Sequence, residues 1–373
     1  VTTTGGVTTT GGVTTTGGKD SFVEQITNNK INSNGSGLSV WGEHRPAKLV
    51  VTGNEIKNNK RGSGFVLDVY LDNDLVFENN VIENNEGDGL VVRGSVRGDL
   101  SIQSNKVKNN RNEGIYLRIY GRENRANQIV IKDNEVSGKE DASGHWNGSG
   151  ITLDYQNNTA VEIAGNTVEN MRDYGIFVKN YDTRTEARIE GNTVKGNGQA
   201  GLRVYGRVLP VVRGNTFDGH RGGLILTYTD STTSGEFEVS GNAIGSSGGI
   251  TSTGGYGVRI EEYAQPNING NDLDGRGGYV IDNQTNKEID AKNNWWGEAI
   301  TQEMATGENP KNLLKVYDKY DDANKGFVNY GGWLSGTALD PDNPPSVDQT
   351  QRGVVALTNG DGKVVAAYEA GDR

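Results

Sequence analysis

The sequence contains no cysteine and only seven prolines among its 373 residues. Without cysteine, neither a disulfide nor a cysteine-ligated metal site can form. Hydrophobic residues make up 33 % of the chain and aromatic residues 7 %, which is little apolar material for a thick globular core in a chain of this length. A fold with a thin interior, such as a solenoid, is therefore favoured.

Two further absences exclude classes of partner. No apolar run approaches the roughly 18 residues that a membrane-spanning helix requires, so we expect no membrane insertion. The net charge is −11 and the pI is about 5.0, and basic residues do not cluster, so we expect no nucleic-acid partner. The chain does not open with a signal peptide, so export would require an upstream segment, and we expect the chain to be part of a longer multidomain protein.

What the sequence does contain is abundant glycine, with 55 residues, and a recurring asparagine. An apolar residue follows each of these asparagines by two positions, as in "NVIENN" and "NTVKGN". Successive asparagines lie 22 to 32 residues apart, a period typical of solenoids. The asparagine column comprises Asn29, Asn54, Asn80, Asn105, Asn134, Asn166, Asn192, Asn215, Asn242, Asn271 and Asn293.

Short alternating runs flank each asparagine of the column. Runs such as "AVEIAGN" lead up to it, and a glycine with a second run, such as "GLRVYG", comes after it. Period-two alternation predicts strands with one buried face, and the repeat shows no sustained helical stripe. The pattern predicts an all-β fold, a right-handed parallel β-helix of about ten to eleven coils with a C-terminal cap. Stacked turns would align the asparagines into a hydrogen-bonded ladder, and glycine would allow the next bend.

The repeated rungs, written N-x-[VI] and then G-[LI]-x-[VIL], resemble the right-handed β-helix repeat family. That family includes secreted carbohydrate-binding proteins and polysaccharide-active enzymes. The stretches "NNWWGEAI" and "VYDKYDDANKGFVNYGGWL" resemble the closing end of bacterial β-helix modules. The resemblance spans about residues 20 to 335 and implies the fold, whereas it implies no particular activity because this architecture hosts many.

The two ends of the chain depart from the repeat. Three identical "VTTTGG" hexapeptides open it, which we interpret as a low-complexity lead-in, with a first coil or an ice-binding threonine surface as alternatives. The proline-rich "LDPDNPPSVDQ" is typical of a linker, and two alternating runs around "NGDG" predict a hairpin that resembles the start of the β-sandwich repeats of bacterial surface proteins. We therefore expect a lead-in over residues 1–18, a β-helix over 19–298, a cap over 299–337, a linker over 338–352 and the start of a truncated β-sandwich-like domain over 353–373.

The outward positions of the glycine-led strands carry the candidate site. Aromatic rings stack on the C–H faces of sugars, and charged groups bind sugar hydroxyls or carboxylates. We expect a glycan-binding surface in the central coils, beside a protruding loop over residues 138–150. The alternative is ordinary packing, because tyrosine is a good strand residue. The predicted surface comprises Tyr116, Arg118, Asp154, Phe177, Lys179, Arg203 and Tyr205.

A recurring aromatic residue near the end of the same strand would extend this surface. The aromatic series comprises Trp41, Tyr70, Tyr120, Tyr155, Tyr181, Tyr205, Tyr228 and Tyr263.

The functional prediction is an extracellular or cell-surface β-helix module that binds a polysaccharide or a cell-surface glycan, mediates adhesion or forms arrays. Two alternatives stay open: a polysaccharide lyase or epimerase acting on uronate-containing polymers, and a purely structural spacer. A lyase or epimerase needs a group that neutralises the uronate and a base at C5. The candidates are Arg118, Lys179 and Arg203 for neutralisation, and Tyr116, Lys179 and Asp154 for the base.

We expect no cofactor and no catalytic metal site. Oxygen ligands around residues 72–75, "DNDL", would suit a structural calcium ion. The three histidines, His44, His145 and His220, are scattered among turns and loops, which is typical of surface residues.

Overall fold

The computed structural model describes two compact units, Val1–Gln199 and Ala200–Arg373. Both are built from short strands, and the prediction of an all-β parallel solenoid is confirmed, with about nine turns instead of ten to eleven. The described residues are 12–16, 23–33, 35–44, 48–71, 74–119, 128–138, 148–156, 158–232, 235–245, 255–273, 278–339, 354–358 and 364–369.

The strands of the first unit follow one another in sets of three, as the alternating runs predict. In chain order they are β1 (Gly12–Thr16), β2 (Val23–Thr27), β3 (Lys30–Asn32), β4 (Leu38–His44), β5 (Lys48–Thr52), β6 (Glu55–Lys57), β7 (Phe65–Leu71), β8 (Asp74–Glu78), β9 (Val81–Glu83), β10 (Leu90–Val96), β11 (Leu100–Gln103), β12 (Lys106–Lys108), β13 (Ile115–Ile119), β14 (Gln128–Lys132), β15 (Glu135–Ser137), β16 (Ile151–Tyr155), β17 (Ala160–Ala164), β18 (Thr167–Glu169), β19 (Tyr174–Glu190) and β20 (Thr193–Lys195).

These strands stack into three parallel sheets. The glycine-led sheet contains β4, β7, β10, β13, β16 and the start of β19. The sheet that leads up to the asparagines runs from β2 through β5, β8, β11, β14 and β17 to the end of β19. A sheet of three-residue strands follows each asparagine, from β3 to β20. At the N-terminal end, β1 pairs antiparallel with β2.

The strands of the second unit repeat this arrangement and then end in a different segment. In chain order they are β21 (Ala200–Arg213), β22 (Thr216–Asp218), β23 (Gly222–Tyr228), β24 (Gly235–Ser240), β25 (Ala243–Ile244), β26 (Tyr256–Glu262), β27 (Ala264–Asn269), β28 (Asp272–Leu273), β29 (Tyr279–Asn283), β30 (Ile289–Asp290), β31 (Val316–Tyr317), β32 (Val328–Asn329), β33 (Val354–Thr358) and β34 (Val364–Glu369).

The segment after the last full turn continues the solenoid instead of only covering its end. Strand β31 pairs in parallel with β29, and β32 pairs in parallel with β30. A short helix, α1 (Glu298–Ala305), precedes them and buries Ile300 and Met304; the repeat pattern did not predict it. Strands β33 and β34 form an antiparallel pair.

An asparagine ladder runs through the interior of each unit. Each ladder member from Asn29 to Asn166, and from Asn215 to Asn271, donates its backbone N–H and its Nδ2–H to the Oδ1 of the next member over distances of 2.8–3.0 Å, and all members are buried. The ladder therefore satisfies buried turn groups that water cannot reach. Its members are Asn29, Asn54, Asn80, Asn105, Asn134, Asn166 and Asn192 in the first unit, and Asn215, Asn242, Asn271 and Asn294 in the second.

The last ladder member corrects the sequence prediction. Asn271 donates its N–H to Asn294 Oδ1 at 2.8 Å, and Asn294 is fully buried, whereas Asn293 is exposed with φ of 55°. The residue before each ladder asparagine has a positive φ, and Asn293 occupies that position. The apolar residue two places after the ladder asparagine is consequently Trp296, which is fully buried. Asparagine tolerates this left-handed backbone conformation well, which explains the misassigned register.

A glycine is required before each strand of the glycine-led sheet because an apolar side chain packs directly against its Cα. A Cβ added at Gly89 would lie 2.2 Å from Val107 Cγ1, and one at Gly114 would lie 2.3 Å from Val136 Cγ1. Val107 and Val136 are the apolar residues two places after ladder asparagines. The repeated asparagine, apolar residue and glycine thus form one packing unit.

Candidate functional site

The outward side chains of the glycine-led sheet in the first unit form two columns. Register pairing places Tyr116 beside Thr152, and Thr152 beside Phe177. Two residues further along each strand, the same register places Arg118 beside Asp154, and Asp154 beside Lys179. We call this the first surface, comprising Tyr116, Arg118, Thr152, Asp154, Phe177 and Lys179.

Asp154 lies between two cations in the first surface. Its Oδ2 is 3.1 Å from Lys179 Nζ and 3.9 Å from Arg118 Nε. The Asp154 side chain is 17 % exposed and the Lys179 side chain 22 %, whereas Arg118 is 51 % exposed. Two cations and one carboxylate leave this triad with one net positive charge, presented on a partly desolvated face.

Aromatic rings border the charged triad. Lys179 Nζ lies 5.7 Å from the centroid of the Phe177 ring, and Arg93 Cζ lies 5.8 Å from the centroid of Tyr116. The rings of Tyr174 and Phe177 pack at 5.3 Å with an interplanar angle of 53°. Cation–π contacts of this kind hold charged groups at fixed positions over the rings. The first surface is therefore preorganised.

Glu113 adjoins the first surface and was missed by the sequence reasoning. Its Oε2 accepts a hydrogen bond from Thr152 Oγ1 at 2.7 Å and one from the Ser149 backbone N–H at 3.0 Å. Burial raises the pKa of the Glu113 carboxyl to about 7, and the negative charges of Asp88 and Asp173 add to the increase. A carboxyl group of this kind exchanges its proton near neutral pH.

One feature of the sequence could have identified Glu113. It stands immediately before Gly114, the glycine that precedes β13, so its side chain lies beside the start of the outward face. Asp88 occupies the same place before Gly89, and its Oδ1 accepts the Glu113 backbone N–H at 3.2 Å. Two acidic residues at equivalent positions of adjacent coils disfavour ionisation of the more buried one.

The seven predicted surface residues divide between the two units. Tyr116, Arg118, Asp154, Phe177 and Lys179 come together in the first unit, whereas Arg203 and Tyr205 belong to the second. Within the second unit, Arg203 Cζ lies 5.6 Å from the centroid of the Tyr205 ring. In register with them are Ile225 and Thr227, which are buried.

The predicted aromatic series does not form one exposed stripe. Tyr155 and Tyr228 are fully buried, and the Tyr155 hydroxyl is 2.7 Å from Thr185 Oγ1. Tyr181 and Tyr263, by contrast, are 59 % and 40 % exposed. The physical reason is the alternation of side chains along a strand. Tyr155 is two residues after Leu153, which points into the core, so Tyr155 points inward as well. The side chains of the first three members, Trp41, Tyr70 and Tyr120, lie outside the described residues.

Several predicted features fall partly or wholly outside the described residues. These include residues 139–147 of the predicted loop and residues 72–73 of the calcium position. In the part of the chain that the structure describes, no group of three or more histidine, aspartate or glutamate residues could hold a metal ion. The same part contains no helix that is both long and apolar enough to cross a membrane.

Comparison with known proteins identifies the repeat. A family model described as a right-handed β-helix region matches residues 9–159 and 149–298. Among curated proteins, none matches the chain.

Proposed function

Because the chain belongs to the right-handed β-helix family, we propose that it is an extracellular or cell-surface module whose first surface binds an acidic polysaccharide. The observation that carries this proposal is the triad of Arg118, Asp154 and Lys179, with its net positive charge and its flanking rings. Adhesion or array formation would follow from many weak contacts of this type acting together.

The charge of the triad favours a uronate over a neutral sugar. Arg118 is more than half exposed, so its guanidinium can approach a ligand carboxylate and donate paired hydrogen bonds. Lys179 is held against both Asp154 and the Phe177 ring. A ligand carboxylate that approaches the exposed side of Arg118 and Lys179, beside Asp154, gains more electrostatic energy here than in water, because these side chains are already partly desolvated.

The spacing of the sheet suits a polymer. Outward residues of a parallel stack repeat every ~4.8 Å, which is close to the length of one sugar unit, so an extended chain can present successive sugars to successive coils. Tyr116 and Phe177, which lie two coils apart with Thr152 between them, would stack against sugar rings. Shallow contacts of this type give affinities on the order of micromolar or weaker.

The test is titration calorimetry with oligogalacturonate and alginate oligomers. We expect the Arg118→Gln, Lys179→Gln double variant to weaken uronate binding at least about tenfold, since each removed charge is worth about 1 kcal/mol. Lys106→Gln is a matched control, because Lys106 is an exposed lysine of the same unit, 3.9 Å from Glu135. Undiminished uronate binding by a folded double variant would refute the proposal.

One observation favours the lyase or epimerase alternative. Glu113, with its pKa of about 7, lies beside Thr152 in the first surface and could exchange a proton with a bound uronate. Of the predicted bases, Lys179 and Asp154 instead form an ion pair with each other. Incubation with uronate polymers separates the classes: a lyase produces unsaturated, ultraviolet-absorbing products, and an epimerase exchanges the C5 proton with solvent deuterium. Loss of either signal in Glu113→Gln would assign the base.

A further inference from the structure

A second group of partly exposed aromatic residues lies at the end of the glycine-led sheet in the second unit. Register pairing places Tyr256 beside Tyr279, and Asp282 beside Tyr317 of β31. The rings of Tyr279 and Tyr317 pack at 5.4 Å with an interplanar angle of 59°. Tyr279 is 37 % exposed. We call Tyr256, Arg259, Glu261, Tyr279, Asp282 and Tyr317 the second surface.

The cation of the second surface is neutralised within the surface. Arg259 Nε lies 2.8 Å from Glu261 Oε1, and Arg259 Nη1 lies 3.2 Å from Asp282 Oδ2. The guanidinium also lies 5.6 Å from the centroid of the Tyr256 ring. With two carboxylates for one guanidinium, this cluster has one net negative charge, the reverse of the triad in the first surface.

Further hydrogen bonds fix these carboxylates in place. Thr227 donates its hydroxyl to Glu261 Oε2 at 2.7 Å, and Gln284 donates Nε2–H to Asp282 Oδ1 at 2.5 Å. Each oxygen still has a second lone pair. Glu261, which is 25 % exposed, can therefore accept a hydrogen bond from a ligand hydroxyl without moving.

The surroundings of Tyr317 are also acidic. Loss of solvation raises the pKa of its phenol, and the carboxylates of Asp322, Asp321 and Asp282 raise it further. Asp322 Oδ1 accepts two hydrogen bonds from Asn324, which holds one of these carboxylates in a fixed turn. An approaching anionic polymer would meet repulsion from all three carboxylates.

We propose that the second surface binds a neutral saccharide, which stacks on the Tyr279 and Tyr317 rings and donates a hydroxyl hydrogen to Glu261, the more exposed of the two carboxylates beside Arg259. Two tilted, partly exposed rings present C–H-binding faces in different planes. Carboxylates are acceptors only, so they pair with sugar hydroxyls and reject sugar carboxylates. This site is independent of the first surface, and its ligand class is complementary to the acidic polymer proposed there.

The test uses cellohexaose, mannohexaose and maltohexaose as neutral probes and a hexagalacturonate as the anionic probe, with binding measured by ligand-observed NMR and calorimetry. At least one neutral hexasaccharide should bind the wild-type chain. In the Tyr279→Ala, Tyr317→Ala double variant that affinity should fall at least about tenfold, since the stacking of each ring contributes on the order of 1 kcal/mol. The Tyr279→Phe, Tyr317→Phe variant retains both rings and should bind within about threefold of wild type.

Tyr263→Ala is the matched control, because Tyr263 is a 40 % exposed tyrosine of the same unit. If the double alanine variant does not fold, the single variant Tyr279→Ala replaces it, since that ring is partly exposed. The proposal fails if no neutral hexasaccharide binds, if binding survives in a folded alanine variant, or if the control loses binding equally. Hexagalacturonate binding should be unchanged in these variants and at least about tenfold weaker in Arg118→Gln, Lys179→Gln, so that failure at one surface is distinguished from failure at the other.

Discussion

The two units share the same interior hydrogen bonding, whereas their outward charged clusters have opposite net charge. Inside, each has an asparagine ladder with hydrogen bonds of nearly equal length, as at Asn105 in the first unit and Asn242 in the second. Outside, the first unit surrounds one carboxylate, Asp154, with two cations, whereas the second surrounds one cation, Arg259, with two carboxylates. Asp154 lies on β16 and Arg259 on β26, and each is a glycine-led strand of its own unit.

This difference indicates that the outward residues of a β-helix determine which ligand it binds. Interior positions must satisfy backbone groups and fill a narrow core, so their chemistry hardly varies from coil to coil. Outward positions have only to be compatible with strand geometry, so adjacent coils can exchange charge for aromatic surface without altering the fold. Function is therefore argued from the outward columns and cannot be read from the repeat itself.

The largest expected effect is at the end of the asparagine ladder in the second unit. Trp296 is fully buried, and its indole N–H has no hydrogen-bond partner among the described residues, so its contribution is packing. We expect Trp296→Ala to lower the free energy of unfolding by about 3–5 kcal/mol, measured by urea denaturation. Trp295→Ala should cost clearly less because Trp295 is only partly buried. An equal loss of stability in the two variants would contradict the assignment of Asn294 as the last ladder member.

The next effect compares the two ladders directly. Asn105→Ala removes the acceptor for the Asn80 N–H and Nδ2–H, both at 3.0 Å, and one of the two donors to Asn134 Oδ1. Because these groups stay buried, we expect a loss of about 3 kcal/mol. Asn242→Ala, in the second unit, should cost the same within about 1 kcal/mol, and Asn112→Ala, at an exposed turn, should be nearly neutral. A large difference between the two ladder variants would break the claim of a common interior.

These contrasts also show which features of the fold and of the candidate site the sequence alone can predict. Period and alternation predict the solenoid because every coil repeats the same solution to the same packing problem, and only the last ladder position was misassigned. Alternation also places Tyr155 inside, although its aromatic character suggested a surface. Glu113 was missed because its pKa depends on burial by neighbouring coils, and the Tyr279–Tyr317 pair was missed because β31 lies outside the repeat. Contacts between non-repeating segments leave no periodic signal.

The third prediction concerns pH, since each unit contains a carboxyl whose pKa burial raises well above its ordinary value. The pKa of Glu113 in the first unit rises from 4.5 to about 7, and that of Asp318 in the second rises from 3.8 to about 6. A raised carboxyl pKa stabilises the fold below the ordinary pKa, and this stabilisation is lost as the pH rises through the folded-state value. Stability should therefore fall between about pH 4 and pH 7.

Substitutions separate the two contributions to this pH dependence. Glu113→Gln keeps an acceptor for Thr152 and cannot ionise, so it should remove the decline between about pH 5 and pH 7 and gain about 2 kcal/mol at neutral pH. Asp318 accepts backbone hydrogen bonds from Tyr320 and Val328, so Asp318→Asn should flatten the lower part of the same range, near pH 4 to 6. The measurement is urea denaturation at a series of pH values, and an unchanged slope in Glu113→Gln would rule out its assigned role.

The smallest expected effect concerns exposed ion pairs, which occur in both units. Lys108 Nζ lies 2.5 Å from Glu135 Oε2 in the first unit, and Arg213 lies 2.5 Å from Glu238 Oε1 in the second. All four side chains are at least about one-third exposed, so solvent screens their attraction and side-chain ordering offsets much of it. Glu135→Gln and Glu238→Gln should each lower the free energy of unfolding by less than about 1 kcal/mol, and this loss should shrink in high salt. A larger cost at either pair, measured by the same urea denaturation, would mean that outward charges help to hold the coils together, and the division between a structural interior and a functional exterior would then fail in that unit.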